Sequence, residues 1–270
     1  MESIPRKRNV IFWEYLMNKN TWVKLKMKLA ILSDIHGNLE ALTAVINRLK
    51  TCAVDQIISL GDNIGYGPNP NEVMDLLAQK KVKSILGNHE MVVKHPRFIT
   101  WFNPVAQKSV VKTNAALSRH HIKTIHTFEK SMIKENLRFV HGVPPHSPFL
   151  YPFQLSDKAL ARKISALAQP ICFCGHTHEL ELIECTCHAE LIRHPLAQGF
   201  QTLKKDSRYL INAGSVGQPR DDNKDAKLMI YDSLAHTIDV LYVPYPYPVT
   251  MQKIRDAGLP ESFATQLSPN

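Results

Sequence analysis

No stretch of the 270-residue chain holds the roughly 18 successive apolar residues that a membrane-spanning helix needs, so the sequence offers no such span. Cysteine is sparse and odd in number, at five. An odd count in a chain of this length does not suit a disulfide framework and points to reduced thiols in a cytoplasmic setting. Aromatic residues make up 8% of the chain, and none of its stretches has the stacking pattern of a nucleic-acid channel. Internal repeats and low-complexity segments are absent. Glycine is scarce too, at 11 residues, and five of them stand in five short motifs that carry the chemistry.

The net charge of +9 divides unevenly. Residues 1–28 hold seven Lys/Arg against Glu2 and Glu14, or +5, which leaves +4 for the rest. A charge concentrated in a tail is weak evidence for a nucleic-acid partner. Met27 opens directly into the apolar run Lys28 to Leu32, so residues 1–26 are read as a basic N-terminal extension outside the core. A basic amphipathic surface helix is the alternative. A secretory signal is disfavoured, because Glu14 interrupts the apolar stretch and no small-residue cleavage site follows. The domain is expected over 27–260, with a C-terminal tail at 261–270.

From Met27 onward, strand-like and helix-like runs alternate. Strands are predicted at 28–32, 56–60, 82–86, 137–140 and 171–174, with helices at 39–50 and 71–79 between the first three. Residues 103–135 read as mostly helical and polar, and His120, His121 and His126 there are taken as surface or structural. After a helix at 157–168, short β-like runs dominate to Val243, and antiparallel pairing is expected. The Pro-rich stretch Val243 to Pro248 is expected to be an extended edge crossing. A parallel first half and a hairpin-rich second half suggest an α/β fold: a four-layer α/β/β/α sandwich with two mixed sheets packed face to face.

Five motifs each follow one of those first strands: Ser33-Asp34-Ile35-His36-Gly37-Asn38, Gly61-Asp62-Asn63, Gly87-Asn88-His89-Glu90, His141-Gly142 and Gly175-His176-Thr177-His178. In open α/β sheets, ligands bind where loops converge at the carboxyl ends of strands. Asp34, His36, Asp62, Asn88, His141, His176 and His178 offer carboxylate, amide and imidazole donors suited to a hard or borderline divalent cation. Seven donors are too many for one catalytic ion with an open position. Two ions are implied, with Asp62 bridging, and charge bookkeeping with a bridging hydroxide leaves a formal +1 for an anionic phosphate ester. His89, one residue past Asn88, is placed to protonate the leaving oxygen. Manganese is the first choice, with iron, nickel, zinc or cobalt as alternatives. The two C-x-C pairs, Cys172/Cys174 and Cys185/Cys187, could in principle form a four-thiolate zinc site. Cys172 and Cys174 alternate on one strand, however, so small core residues are the better reading.

This pattern resembles the calcineurin-like metallophosphoesterase superfamily over Met27 to about Pro260, and within it the small single-domain prokaryotic phosphoesterases. The resemblance implies one metal held by Asp34, His36, Asp62 and His178, and another held by Asp62, Asn88, His141 and His176. It also implies that His89 contacts the substrate phosphate and the leaving group. Asn88 is counted with the substrate-binding groups. Gly65-Tyr66-Gly67 stands where related phosphatases carry Asp-Arg-Gly, so the aspartate that orients the histidine and the phosphate-binding arginine are both missing at that place. Arg220, in Asn212 to Arg220, is expected either to replace that arginine or to serve the turn. Glu90 stands where Asp is common, a change expected to be tolerated. The expected activity is hydrolysis of a small phosphomonoester or phosphodiester. The competing readings are a non-catalytic protein-binding scaffold, as in the resembling retromer subunit, and a nuclease. A homo-oligomer is compatible with the sequence.

Overall fold

The computed structural model describes residues 26–269. The N-terminal extension, Lys26 excepted, lies outside the described residues, and so do the alternatives weighed for it. The strands are β1 (Lys28–Leu32), β2 (Gln56–Ser59), β3 (Lys83–Ser84), β4 (Ser131–Lys134), β5 (Leu137–Val140), β6 (Ile171–Cys174), β7 (Leu180–Cys185), β8 (Leu191–Pro195), β9 (Gly199–Thr202), β10 (Arg208–Ala213), β11 (Ala226–Asp232) and β12 (Thr237–Val243). The helices are α1 (Leu39–Leu49), α2 (Pro70–Gln79), α3 (Asn88–Lys94), α4 (Pro104–Ala116), α5 (Arg119–His126), α6 (Asp157–Ser165), α7 (Tyr247–Asp256) and α8 (Glu261–Thr265).

Two six-stranded mixed sheets form, in the orders β3-β2-β1-β11-β12-β9 and β4-β5-β6-β10-β7-β8. Their inner faces share one apolar layer. Leu29, Ile31, Ile58, Met229 and Val240 from the first sheet meet Phe139, Ile171, Phe173 and Ile211 from the second. The alternate residues of the same strands face outward: Ala30 and Leu32 pack against α1 and α2, and Cys172, Cys174 and Leu210 pack against α6. Burial on both faces explains why β1 and β6 read as unbroken apolar runs rather than alternating ones. The α/β/β/α sandwich is thus as expected.

Within each sheet the strands that deliver the motifs run parallel: β1, β2 and β3 in the first, and β5 and β6, with β10 parallel beside β6, in the second. Their carboxyl ends therefore open on one edge of the sandwich. The second half is not purely antiparallel, because β6 runs parallel to β10 as well as to β5.

Several local expectations are corrected. The strand expected at 82–86 keeps ladder pairing only at Lys83–Ser84, because the chain bends to bring Gly87 against Asp62. Residues 131–134 are a strand rather than helix, pairing Ser131 with Val140 and Lys134 with Leu137. The Pro-rich stretch does not stay extended. Tyr245 is buried, and α7 begins at Tyr247 with Pro248 in its first turn, where a missing N–H costs nothing. Residues 261–269 include α8, and Phe263, Ala264 and Leu267 are buried there. Cys172, Cys174 and Cys185 are buried free thiols and Cys187 is exposed; among the described residues no cysteine joins a group able to hold a metal. His121 is buried and pairs with Asp75 at 3.2 Å, which is a structural role.

The layer between the sheets is tested at Phe173, fully buried and stacked on Phe139 with ring centroids 5.6 Å apart. Phe173→Ala is expected to lower the unfolding free energy by about 3–5 kcal/mol in urea denaturation. A loss below about 1 kcal/mol would contradict this packing.

Candidate metal centre

Six of the seven predicted ligands lie in loops that follow their strands, and Asn88 opens helix α3; four of the seven, Asp34, His36, Asp62 and His178, have φ between 50° and 65°. His176 has φ 72°. Left-handed backbone is uncommon for a residue with a side chain and costs of order 1–3 kcal/mol where it is strained. Its concentration in these turns marks a site for which the loops are bent. Glycines admit the close approaches. A Cβ on Gly87 would lie 2.0 Å from Asp62 Oδ1, and one on Gly175 would lie 1.9 Å from Ser33 Oγ.

All seven side chains are buried and converge. Backbone carbonyls fix the histidine tautomers, because a carbonyl can only accept. His36 Nδ1 donates to Ile64 O (3.1 Å), His178 Nδ1 to Gln218 O (2.7 Å), His141 Nδ1 to Leu60 O (3.0 Å) and His176 Nε2 to Phe149 O (3.1 Å). The other nitrogen of His36, His176 and His178 then presents a lone pair, as does His141 Nε2 once it has lost its proton, and these atoms face one another. His36 Nε2 and His178 Nε2 are 3.1 Å apart, with Asp34 Oδ1 3.3 Å from the latter. His141 Nε2 is 3.0 Å from Asn88 Oδ1, 3.1 Å from His176 Nδ1 and 3.2 Å from Asp62 Oδ2. Acceptors brought together in this way repel unless something positive lies among them. Donor atoms around one cation with bonds of about 2.1 Å sit about 3.0–3.4 Å apart, so the spacing fits a metal.

The two carboxylates are each tied down by one oxygen. Asp34 Oδ2 accepts from Ser33 Oγ (2.6 Å) and His176 N (3.0 Å), which leaves Oδ1 without a protein donor. Asp62 Oδ1 accepts from His89 N (2.9 Å), and its Oδ2 faces His141 and also His36 at 3.7 Å. That single oxygen stands between the two donor groups. Three triads among these residues could hold a metal ion: Asp34, His36 and His178; Asp62, His141 and His176; and His36, Asp62 and His89.

Burial dominates the proton equilibria. It pushes His36 and His178 well below the ordinary imidazole range, and His176 to about 3, so these rings are neutral. Burial also raises Asp34, to about 6. Against burial, His141, His89 and His36 hold Asp62 well below the carboxylate range. His141 is the exception among the imidazoles: burial would lower it, but Asp62, Asp34 and Glu90 lift it to about 9. In the cation-free protein a proton on His141 Nε2 can satisfy one of its three acceptors, whereas a cation satisfies them all.

Glu90 does more than the sequence suggested. Its buried carboxylate accepts from Asp62 N (2.9 Å), Asn63 N (2.7 Å) and Gly87 N (3.0 Å), clamping two motif loops together. His89 is buried, with neither ring nitrogen hydrogen-bonded to protein. In place of an orienting carboxylate, rings hold it: Tyr66 at 4.6 Å, Phe102 at 4.9 Å and His36 at 4.9 Å. Burial lowers it to about 4. Arg220 is exposed at the mouth, where its charge depresses His36, His89, His176 and His178 and acts against the burial that raises Tyr151. Its loop is anchored by buried Lys227, whose Nζ donates to the carbonyls of Asn223 (2.6 Å) and Asp225 (2.9 Å) and pairs with Asp221 (3.0 Å). His146 lies apart, lining a cavity of about 300 Å³ with Lys94, His95 and Glu129. Tyr66 and Tyr151 were missed as site residues, since lone aromatics in loops carry no spacing signal.

The model of the calcineurin-like phosphoesterase superfamily domain matches residues 27–233. The chain belongs to this superfamily. It is 32% identical over 251 residues to an uncharacterized protein of Methanocaldococcus jannaschii, covering 90% of this chain and 98% of the relative. Among solved structures, a metallophosphoesterase from Sphaerobacter thermophilus is 33% identical with a TM-score of 0.78, covering 90% of this chain and 99% of that one. A hypothetical protein from Pyrococcus horikoshii shares the fold, with a TM-score of 0.71 at 18% identity and coverage of 90% and 98%. The superfamily is one of metal-dependent phosphoester hydrolases, and the His/Asp clusters of this chain fit that chemistry.

A pH dependence follows from His141. Below about 9 it holds a proton that a cation bound at this group would have to displace, and below about 6 Asp34 would add a second. Manganese affinity is therefore expected to fall as pH drops from 9 to 6, by up to tenfold per unit, with about one proton released at pH 7.5. Calorimetric titration in buffers of different ionisation enthalpy reads both quantities. Affinity independent of pH would contradict the assignment.

Proposed function

We propose that this chain is a dinuclear metal-dependent phosphoesterase that hydrolyses a small phosphomonoester or phosphodiester. The observation that carries this reading is the meeting of lone pairs on His36 and His178, and on Asn88, His141 and His176, with Asp62 Oδ2 between the two groups. One ion would be held by Asp34, His36, Asp62 and His178, and the other by Asp62, Asn88, His141 and His176. Manganese is the first choice for a donor set of carboxylate, amide oxygen and imidazole. Such ions neutralise phosphate oxygens and activate water for in-line displacement.

The residues of the chain supply the rest. Asn88 turns its Oδ1 toward His141, which leaves its amide hydrogens as donors to a phosphate oxygen. Arg220, in the loop anchored by Lys227, adds a positive charge at the mouth. His89 is the general acid. Its ring is neutral in the free protein, and an anionic phosphate beside it raises its proton affinity, so that it can donate to the leaving oxygen. All five thiols are free, which suits a reducing, cytoplasmic setting. No helix among the described residues is long and apolar enough to cross a membrane, and the substrate is taken to be a small, diffusible phosphate ester.

Asp62→Asn is expected to reduce metal-dependent hydrolysis of bis(4-nitrophenyl) phosphate to background. His89→Ala should lower kcat by about 10²–10⁴-fold on an alkyl ester, and far less on a nitrophenyl ester, whose leaving group needs no proton. Steady-state rates of the manganese-loaded proteins check both. An Asp62→Asn protein of full activity would refute the dinuclear reading, and equal losses on both esters would refute the acid role.

A further inference from the structure

The aromatic groups at the mouth are arranged in a way that hydrolysis alone does not require. The Tyr151 ring lies parallel to His176, with centroids 3.9 Å apart and planes 15° apart. Phe153 lies parallel to Tyr151 in turn, at 4.9 Å and 19°. Phe153 is nevertheless 68% exposed. The segment that carries the two rings is closed by its own bonds: Tyr151 N donates to Gln154 Oε1 (3.0 Å), Gln154 N donates to Tyr151 O (3.1 Å), and Pro152 between the rings is buried. A rigid, half-covered ring is a stacking platform already ordered before a ligand arrives. It begins on His176, and the charge of Arg220 reaches its first ring, Tyr151.

We propose that the site accepts phosphate esters of nucleoside type, whose flat base stacks on Phe153 while the phosphate lies between Arg220 and the metal-holding residues. This inference rests on the phosphoesterase reading, and deepens it by naming a substrate class. Stacking is sequence-tolerant, because every base has a π face, so the platform selects for a base without selecting among bases. A small alkyl ester would leave Phe153 in water.

The manganese-loaded full chain is tested with thymidine 5′-(4-nitrophenyl phosphate) and methyl 4-nitrophenyl phosphate, which release the same leaving group. The native protein is expected to favour the nucleoside ester in kcat/KM. Phe153→Ala should cut that preference about tenfold, chiefly through KM, and Phe153→Trp should keep it. In a parallel binding arm, calorimetry with adenosine 5′-monophosphate and inorganic phosphate should show weakening by Phe153→Ala for the nucleotide only. Hydrolysis of both esters with equal kcat/KM, or an equal loss on both in Phe153→Ala, would overturn the subsite and leave the phosphoesterase intact. Phe153-dependent nucleotide binding without any hydrolysis would do the reverse.

Discussion

Everything around the metal centre follows from one unfavourable arrangement: imidazole, amide and carboxylate acceptors held about 3 Å apart in the interior, pointing at each other, with only the proton of His141 among them. In water such groups would turn away. Here they cannot, because each imidazole is pinned from behind by a carbonyl that takes its one N–H, and each aspartate by donors on its other oxygen. The arrangement is stable only with positive charge inside it. That is the physical content of a preorganised metal site, in which the outer hydrogen bonds set which atom each ligand offers.

The fold sustains this in two ways. The donors come from both sheets: Asp34, His36, Asp62 and Asn88 follow strands of the first, and His141, His176 and His178 follow strands of the second. The apolar layer between Leu29, Ile31, Phe139 and Phe173 holds the two strand edges in register, so the site inherits the rigidity of the core. Cross-loop bonds then do the fine alignment. His36 N donates to Asp62 O (2.8 Å), Gly175 N to His141 O (2.8 Å) and Gly217 N to Asp34 O (3.0 Å), and Glu90 gathers three more N–H groups. The left-handed turns at Asp34, His36, Asp62 and His178 are the strain that this scaffold supports.

Much of this was legible in the residues. Ordered motifs after apolar runs named the seven side chains that the fold buries together, and burial on both faces made the central strands easy to read. What escaped was set by tertiary contact. Ser131–Lys134 looks helical until it meets β5, Lys83–Ser84 is shortened by the approach of Gly87 to Asp62, and Tyr245 and Phe263 are buried by neighbours that sequence spacing does not announce. Glu90 was read as a tolerated variant, since its value lies in three backbone N–H groups, two of them from a loop 27 and 28 positions upstream. The Gly65-Tyr66-Gly67 departure was visible. That rings would take the place of a carboxylate around His89 was not, because ring contacts with Tyr66, Phe102 and His36 have no sequence period.

The central claim is that the facing lone pairs require two cations. Crystals of the manganese-reconstituted chain, measured at wavelengths on either side of the manganese absorption edge, test it directly. Two anomalous peaks are expected about 3.5–4 Å apart, one beside His36 and His178 and one beside His141 and His176, with Asp62 between them. A single peak, or none with the imidazoles turned away from one another, would contradict it.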